Sequence, residues 1–236
     1  MVGRNDSARH ALARRRRGGG KIGAMIWQSP DAAVAALVLA HGAGAGMRHR
    51  NMQSIADSFA RHGIATLRFD FPFIEAGRKR VDPPAVAIAA LAEAFAAAEE
   101  RTRLPVWLGG HSFGGRMASH AMLERGLAPA GLIFCSFPLH PPGKPGTDRA
   151  RHLAQIARPM LFLSGTRDAL AEPALLEGVV AGLAQAELHW LETADHGYRV
   201  LKRSRQTPET VYDEMGRVAR DFVDRSARDP ARAGDV

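Results

Sequence analysis

Short apolar runs alternate with segments in which apolar residues recur every three or four positions. Apolar runs bounded by Gly and Pro are typical of buried strands, whereas the longer spacing is typical of amphipathic helices. The helical spacing is clear from Asn51 to His62, where Met52, Ile55 and Phe59 share one face. The pattern predicts strands near residues 24–27, 33–40, 64–69, 105–109, 130–135, 159–164 and 187–191, and helices near residues 51–62, 84–102, 113–125, 172–183 and 208–225.

This alternation predicts the α/β class, with a mostly parallel sheet of about six to seven strands and helices on both faces. In such a sheet, ligands bind at the carboxyl ends of the strands. We therefore expect one α/β domain over residues 24–226, with a tail before it (residues 1–23) and a short C-terminal tail after it (residues 227–236).

The chain carries a formal net charge of +8, and most of that excess lies in residues 1–23, where Arg14 to Arg17 are consecutive. Such a segment is predicted to be disordered. It is either a weak electrostatic anchor for polyanions or a solvated extension. The domain itself is close to neutral, so we expect no specific nucleic-acid surface on it. No apolar stretch is long enough to predict a membrane span.

The single cysteine, Cys135, excludes an intramolecular disulfide and a cysteine-built metal site. It ends the apolar run from Gly131, which favours a buried, inert thiol over a nucleophile. Cysteine usage of this kind suits a reducing compartment, so we predict a cytoplasmic protein. We predict no metal and no other cofactor.

A serine between two glycines, Gly110-x-Ser112-x-Gly114, stands between a predicted strand and a predicted helix. This spacing is that of a nucleophile elbow, a tight turn that exposes a serine and needs neighbours without a Cβ. The motif is common by chance, but the strand before it and the helix after it are the context that it requires. Ser112 is therefore the candidate nucleophile.

A serine nucleophile needs a base and a carboxylate that orients the base. Among ten histidines, His196 follows the last predicted strand, and Asp168 follows the strand before it. The order Ser112, Asp168, His196 is that of an α/β-hydrolase triad. Asp195 is the alternative acid, but a sequence neighbour of the histidine is badly placed to reach the far nitrogen of the ring.

The remaining requirement is an oxyanion hole made of two backbone N–H groups. We expect one from Phe113, directly after the nucleophile, and one from Ala43 in the Gly-rich loop after residues 33–40. A Gly-rich loop also suits phosphate. This loop, however, lacks both the G-x-G-x-x-G spacing and a Gly-Lys-Ser/Thr ending, which disfavours a nucleotide site.

Together these motifs resemble the predicted α/β-hydrolase family related to dienelactone hydrolase, a family that also resembles a subunit of the animal NSL histone-acetyltransferase complex. The resemblance covers about residues 34–225 and implies an α/β-hydrolase fold and a triad of Ser112, Asp168 and His196. That family often has Lys or Arg in place of His111 and Met in place of Phe113. The residues that carry the resemblance are Ala40-His41-Gly42-Ala43-Gly44, Gly109 to Arg116, Pro138-Leu139-His140-Pro141-Pro142-Gly143-Lys144-Pro145, Ser164-Gly165-Thr166-Arg167-Asp168, and Leu188 to Glu192 with Asp195-His196.

Basic residues follow the strand that ends at Cys135, on the connection where this fold commonly carries a lid. They either recognise an anionic group of a substrate or form a solvated basic loop, and the sequence leaves both open. For Arg68 and Arg116 we expect structural ion pairs. The candidate substrate-binding residues are His41, His111, His140 and Lys144, with Arg149 and Arg151 on the same connection.

The chemistry that these residues predict is hydrolysis of a small carboxylic ester or thioester through an acyl-enzyme. The substrate is then a small acyl compound. The alternative is a binding or scaffold module that keeps the fold without catalysis. The same elbow would also serve acyl transfer or perhydrolysis.

Overall fold

Seven strands form one sheet in the computed structural model, which describes residues 23–228. They are β1 (Met25–Gln28), β2 (Ala35–Ala40), β3 (Ile64–Phe69), β4 (Val106–His111), β5 (Leu132–Cys135), β6 (Met160–Gly165) and β7 (Ala186–Leu191). The order across the sheet is β1-β3-β2-β4-β5-β6-β7. Only β1 is antiparallel to its neighbour, and every other pair is parallel.

Helices cover both faces of the sheet. They are α1 (Arg50–Arg61), α2 (Pro72–Glu75), α3 (Pro84–Arg101), α4 (Phe113–Arg125), α5 (Pro173–Ala181) and α6 (Val211–Arg228), with a 3-10 helix at Asp148–Gln155. Helices α1 and α6 pack over one face, and α3, α4 and α5 pack over the other. No helix among residues 23–228 is long and apolar enough to cross a membrane.

The continuous apolar run of β2 follows from this double cover. Leu37 and Leu39 point into the layer beneath α1 and α6, whereas Val38 and Ala40 point into the layer beneath α3 and α4. All four are fully buried. A strand covered on both faces has no polar side, which is why β2 lacks the alternation of a half-exposed strand.

The connections diverge between β2 and β4. From β2 the chain turns through α1 to β3 on one side, and from β4 it turns through α4 to β5 on the other. A crevice opens at the carboxyl ends of neighbouring parallel strands where the connections part in this way. The loop after β2 and the turn after β4 therefore meet at one place.

The predicted fold class is confirmed: the sheet has seven strands, is mostly parallel and is covered by helices on both faces. Two elements lie where the sequence predicts only loops, α2 and the 3-10 helix. Helix α2 is held by tertiary contacts, since Phe73 is buried and its N–H donates to Asp82.

The predicted basic tail lies outside the described residues except for Gly23. Helix α6 runs two residues into the predicted C-terminal tail, and the rest of that tail is outside the described residues.

Candidate active site

Ser112 occupies the turn between β4 and α4 with a positive φ of 51° and ψ of −114°. This conformation is strained for a residue with a side chain. The backbone N–H of Ser112 donates to the Cys135 carbonyl at 2.9 Å, which fixes the turn to the end of β5. A Cβ on Gly110 would lie 2.1 Å from the Ala40 carbonyl oxygen, and one on Gly114 would lie 2.5 Å from the same atom. Only glycine therefore lets β4 and α4 approach β2 so closely.

The loops after β6 and β7 bring the other two triad candidates to this serine. His196 Nε2 lies 2.8 Å from Ser112 Oγ, and His196 Nδ1 lies 2.8 Å from Asp168 Oδ2. The Asp168 side chain is fully buried, and its second oxygen accepts the Leu170 N–H at 2.8 Å. Because a carboxylate accepts the proton on Nδ1, Nε2 keeps its lone pair toward the serine hydroxyl. That is the tautomer a general base requires.

Asp195 has a different position from Asp168. Its Oδ1 accepts the N–H groups of Gly197 and Arg199, each at 2.9 Å. Asp195 therefore shapes the turn that carries His196 and does not orient the imidazole.

His111, the last residue of β4, packs against the candidate base His196. Its Nε2 lies 2.9 Å from the His196 carbonyl oxygen, and its ring packs against the rings of His196 and Tyr198, with centroids 5.3 and 5.6 Å away. Burial lowers the pKa of His111 to about 4, so the ring is neutral near pH 7 and Nε2–H donates to that carbonyl. In this geometry His111 holds the His196 loop against the end of β4.

His41 is fully buried and joins two loops. Its Nδ1–H donates to the Gly42 carbonyl at 2.7 Å, and its Nε2 accepts the Phe71 N–H at 3.0 Å. Burial lowers the pKa of His41, against the opposing effect of the Gly42 hydrogen bond, so the neutral form that accepts at Nε2 is favoured. Asp70 makes a second hydrogen bond between the same two loops by accepting the Met47 N–H at 2.7 Å. His41 thus shapes the loop after β2 and has no ring nitrogen left for a substrate.

The two candidate oxyanion donors lie on the paired strand ends. Ala40 of β2 is in register with Gly110 of β4, so the loop containing Ala43 runs beside the turn containing Phe113. Phe113 is the first residue of α4, where a helix leaves N–H groups without an internal acceptor. Within residues 23–228, neither the Ala43 nor the Phe113 N–H donates to a protein acceptor. Both N–H groups are therefore available to an acceptor from outside the protein.

An aromatic cluster connects the His41 loop to the elbow. The His41 ring packs edge-on against Phe71 and Phe73, with centroids 4.9 and 5.7 Å away. Phe113 packs against the same two phenylalanines at 5.3 and 6.3 Å. This cluster could not be predicted from the sequence, because Phe71 and Phe73 fall in a proline-rich segment without periodicity.

The basic residues after β5 differ in their surroundings. Both ring nitrogens of buried His140 face acceptors, Nδ1 the Pro141 carbonyl at 2.9 Å and Nε2 the Glu172 carboxylate. His140 therefore offers no free donor to a substrate anion. Lys144 is exposed, and within residues 23–228 its ammonium has no ion-pair partner. Arg151 pairs with Asp148 on the 3-10 helix.

The expected ion pairs of Arg68 and Arg116 are absent among the described residues. Arg68 is buried and donates to neutral acceptors, the Met47 carbonyl and the side chains of Gln53 and Gln28. These acceptors come from elements that only the fold brings together. Arg116 has no carboxylate partner within residues 23–228 either.

Cys135 is fully buried at the end of β5. Burial raises the pKa of its thiol to about 12. The nucleophilic thiolate therefore does not form near pH 7.

Comparison with known proteins adds a family and a set of structural neighbours. Residues 33–224 match the family described as alpha/beta hydrolase domain. Est1E from Butyrivibrio proteoclasticus, solved with ferulic acid bound, aligns with a TM-score of 0.62 at 15% identity over 87% of this chain and 96% of its own. Dienelactone hydrolase from Anabaena variabilis aligns with a TM-score of 0.63 at 18% identity over 85% of this chain and 90% of its own.

A third neighbour is XC6422 from Xanthomonas campestris, described as an α/β serine hydrolase without a lid. It aligns with a TM-score of 0.62 at 20% identity over 85% of this chain and 88% of its own. At these identities the three structures establish a shared fold.

Proposed function

We propose that this chain, which belongs to the alpha/beta hydrolase domain family, is a serine hydrolase that cleaves a small carboxylic ester or thioester through an acyl-enzyme. The observation that carries the proposal is the pair of 2.8 Å contacts that link Ser112 to His196 and His196 to Asp168. The strained φ of Ser112 supports it, because strain of this kind is retained mainly at functional sites.

In the first half of the proposed reaction, Ser112 Oγ attacks the acyl carbon while His196 Nε2 takes the hydroxyl proton. Asp168 accepts the Nδ1 hydrogen bond and stabilises the imidazolium that forms. The carbonyl oxygen becomes an oxyanion and accepts from the Ala43 and Phe113 N–H groups. The intermediate then collapses, the bond to the leaving alcohol or thiol breaks, and His196 returns the proton to that leaving group.

In the second half, His196 Nε2 takes a proton from water, and the water oxygen attacks the acyl carbon of the Ser112 ester. The same two N–H groups bind the second oxyanion. Collapse releases a carboxylic acid and returns the proton to Ser112 Oγ. The ferulic acid bound to Est1E is a carboxylic acid, which supports a carboxylic ester as the substrate class.

The proposal is tested by turnover of p-nitrophenyl esters and acyl thioesters that differ in chain length and charge. We expect a burst of p-nitrophenol with the esters of short acyl chains. We expect Ser112→Ala to lose activity by a factor of about 10⁴ or more. Ser54→Ala, at a partly buried serine on α1, is the matched control and should keep full activity. Equal turnover by the wild type and Ser112→Ala would reject the proposal.

The second candidate is a non-catalytic binding or scaffold module, as the resemblance to the NSL subunit implies. A site that has lost catalysis is expected to lose a triad member or its hydrogen bonds, so the intact Ser112–His196–Asp168 arrangement favours the enzyme. Ester turnover without any stable protein partner in a pull-down would exclude the scaffold.

The single buried thiol, without a disulfide partner, supports the cytoplasmic location predicted from the sequence.

A further inference from the structure

A second group of side chains lies between α4 and the 3-10 helix. Arg116, Ser119 and His120 share one face of α4, and Ser119 and His120 contact His152 of the 3-10 helix. Arg149 lies one turn before His152 on the same face of the 3-10 helix, as Arg116 lies one turn before His120 on α4, and the charge of Arg149 acts on Arg116. The rings of His120 and His152 stack with centroids 3.8 Å apart and planes 15° apart. Ser119 Oγ donates to the Arg116 carbonyl at 2.8 Å and lies 2.7 Å from His152 Nε2. We call these five residues the α4 basic cluster.

The two arginines of the α4 basic cluster lack a balancing negative charge among the described residues. Arg116 is half-buried, and both its burial and the positive charge of Arg149 lower its pKa. Among residues 23–228, neither guanidinium has a carboxylate within ion-pair distance. Arg151, two positions further along the 3-10 helix, is by contrast paired with Asp148. Two like charges held close together without a counter-ion repel each other, so a bound anion would stabilise them.

The histidines of the cluster respond to the same charges. Burial is the main cause of the low pKa of His152, which is about 4, and the charges of His120 and Arg116 lower it further. Burial and Arg116 also lower the pKa of His120. Glu124 acts in the opposite direction and raises the pKa of His120. It is 56% exposed, and its Oε1 is 3.6 Å from His120 Nδ1. An anion bound between the helices would favour the protonated form of both rings.

We propose that the α4 basic cluster is a binding site for a phosphate group. Two guanidiniums offer paired N–H donors that match the oxygens of a phosphate, and a phosphate dianion has enough charge to balance both. A carboxylate has a single charge and would leave one arginine unbalanced. The two histidines supply further donors when protonated.

The position of Arg116 relates this site to the nucleophile. Its backbone N–H donates to the Ser112 carbonyl at 3.1 Å, so the two residues are four positions, about 6 Å along the helix axis, apart. The phosphate group is therefore either part of the acyl substrate or a separate ligand bound beside the site. The site itself requires no catalysis, so it stands independently of the proposed function.

The proposal is tested by calorimetric titration of the full-length protein with inorganic phosphate. We expect saturable binding to one site, and we expect Arg149→Gln and Arg116→Gln each to weaken it by a factor of about 10 to 100, as the loss of a charge-assisted hydrogen bond predicts. Arg151→Gln is the matched control, because Asp148 already neutralises Arg151, and it should bind like the wild type. Arg149→Lys keeps the charge but not the paired N–H donors, so its affinity should lie between those of Arg149→Gln and the wild type.

Two further measurements sharpen the result. Binding is measured at pH 8, where inorganic phosphate is mainly the dianion that the two guanidiniums require. Ser112→Ala should bind phosphate like the wild type, so failure of the proposed hydrolase function and failure of this site are distinguishable. A lower KM for a phosphate-bearing ester than for its neutral analogue, lost in Arg149→Gln, identifies a substrate phosphate. Equal KM values identify a separate ligand.

Absence of saturable binding to the wild type at millimolar phosphate would overturn the proposal. So would equal phosphate affinities for the wild type, Arg149→Gln and Arg151→Gln. Thermal unfolding of each variant shows that it is folded before its affinity is compared.

Discussion

Replacing His111 by phenylalanine tests whether this residue positions the candidate base. The substitution keeps an aromatic ring against His196 and Tyr198 but removes the N–H that donates to the His196 carbonyl at 2.9 Å. A carbonyl left without its donor in a partly buried site costs about 1 to 3 kcal/mol. If the conformation that places His196 Nε2 beside Ser112 is destabilised by that amount, kcat falls by a factor of about 5 to 160.

The assay is steady-state hydrolysis of a short-chain p-nitrophenyl ester, with kcat and KM determined separately. We expect kcat to fall and KM to change little, because the contacts of His111 are with the candidate base His196 and with Tyr198 beside it. His111→Gln supplies an amide N–H and should recover much of the loss. His62→Phe, at the partly buried end of α1, is the control for introducing a phenyl ring. Wild-type kcat in a folded His111→Phe variant would refute this reasoning.

Three other perturbations follow from the same contacts. Asp168→Asn replaces the carboxylate that fixes the imidazole tautomer, so kcat for ester hydrolysis should fall by a factor of about 10⁴ with the fold intact by circular dichroism. Gly114→Ala places a Cβ 2.5 Å from the Ala40 carbonyl oxygen and should lower the unfolding free energy by about 3 kcal/mol or more in urea denaturation. Gly178→Ala, with nothing within 4 Å, should leave stability unchanged or raised. The pKa of His111 falls from 6.5 to about 4 on folding, so the unfolded chain binds this proton first as pH drops. Between pH 7 and pH 4.5 this residue alone should therefore lower the unfolding free energy by about 2 kcal/mol, a dependence that His111→Phe lacks.

Most of the fold could be predicted from the order of the apolar runs and from local spacing. The strand Ile64–Phe69 and the helix Phe113–Arg125 follow directly from apolar runs and from the glycines beside them. The elements that the pattern missed, Pro72–Glu75 and Asp148–Gln155, are short and are held by contacts from elsewhere in the chain. A local sequence pattern contains no information about such contacts.

The same distinction applies to the candidate site. Ser112, Asp168 and His196 follow strands, so their order along the chain predicts that they lie at one edge of the sheet. His41 and His111 were expected to contact substrate, but burial and tertiary hydrogen bonds give them partners within the protein. Which nitrogen of a histidine has a partner depends on packing between distant segments, and neither residue type nor spacing predicts it.

The sequence likewise does not predict that Arg116 lacks a carboxylate partner among the described residues. Ion pairs within a helix join residues three or four positions apart, and from Arg116 those positions hold Ser119 and His120, so a carboxylate partner would have to come from elsewhere in the chain. The structure instead sets Arg116 against Arg149 of the 3-10 helix, an element that the sequence did not predict. The phosphate proposal therefore depends on tertiary structure alone.

The central claim is that Ser112 is an activated nucleophile, and covalent labelling with a fluorophosphonate probe tests it most directly. Mass spectrometry of the labelled protein should find one adduct, on the peptide that contains Ser112. Labelling should be lost in Ser112→Ala, slowed in Asp168→Asn and unchanged in Ser54→Ala. An unlabelled wild type, or equal labelling of the wild type and Ser112→Ala, would contradict the claim.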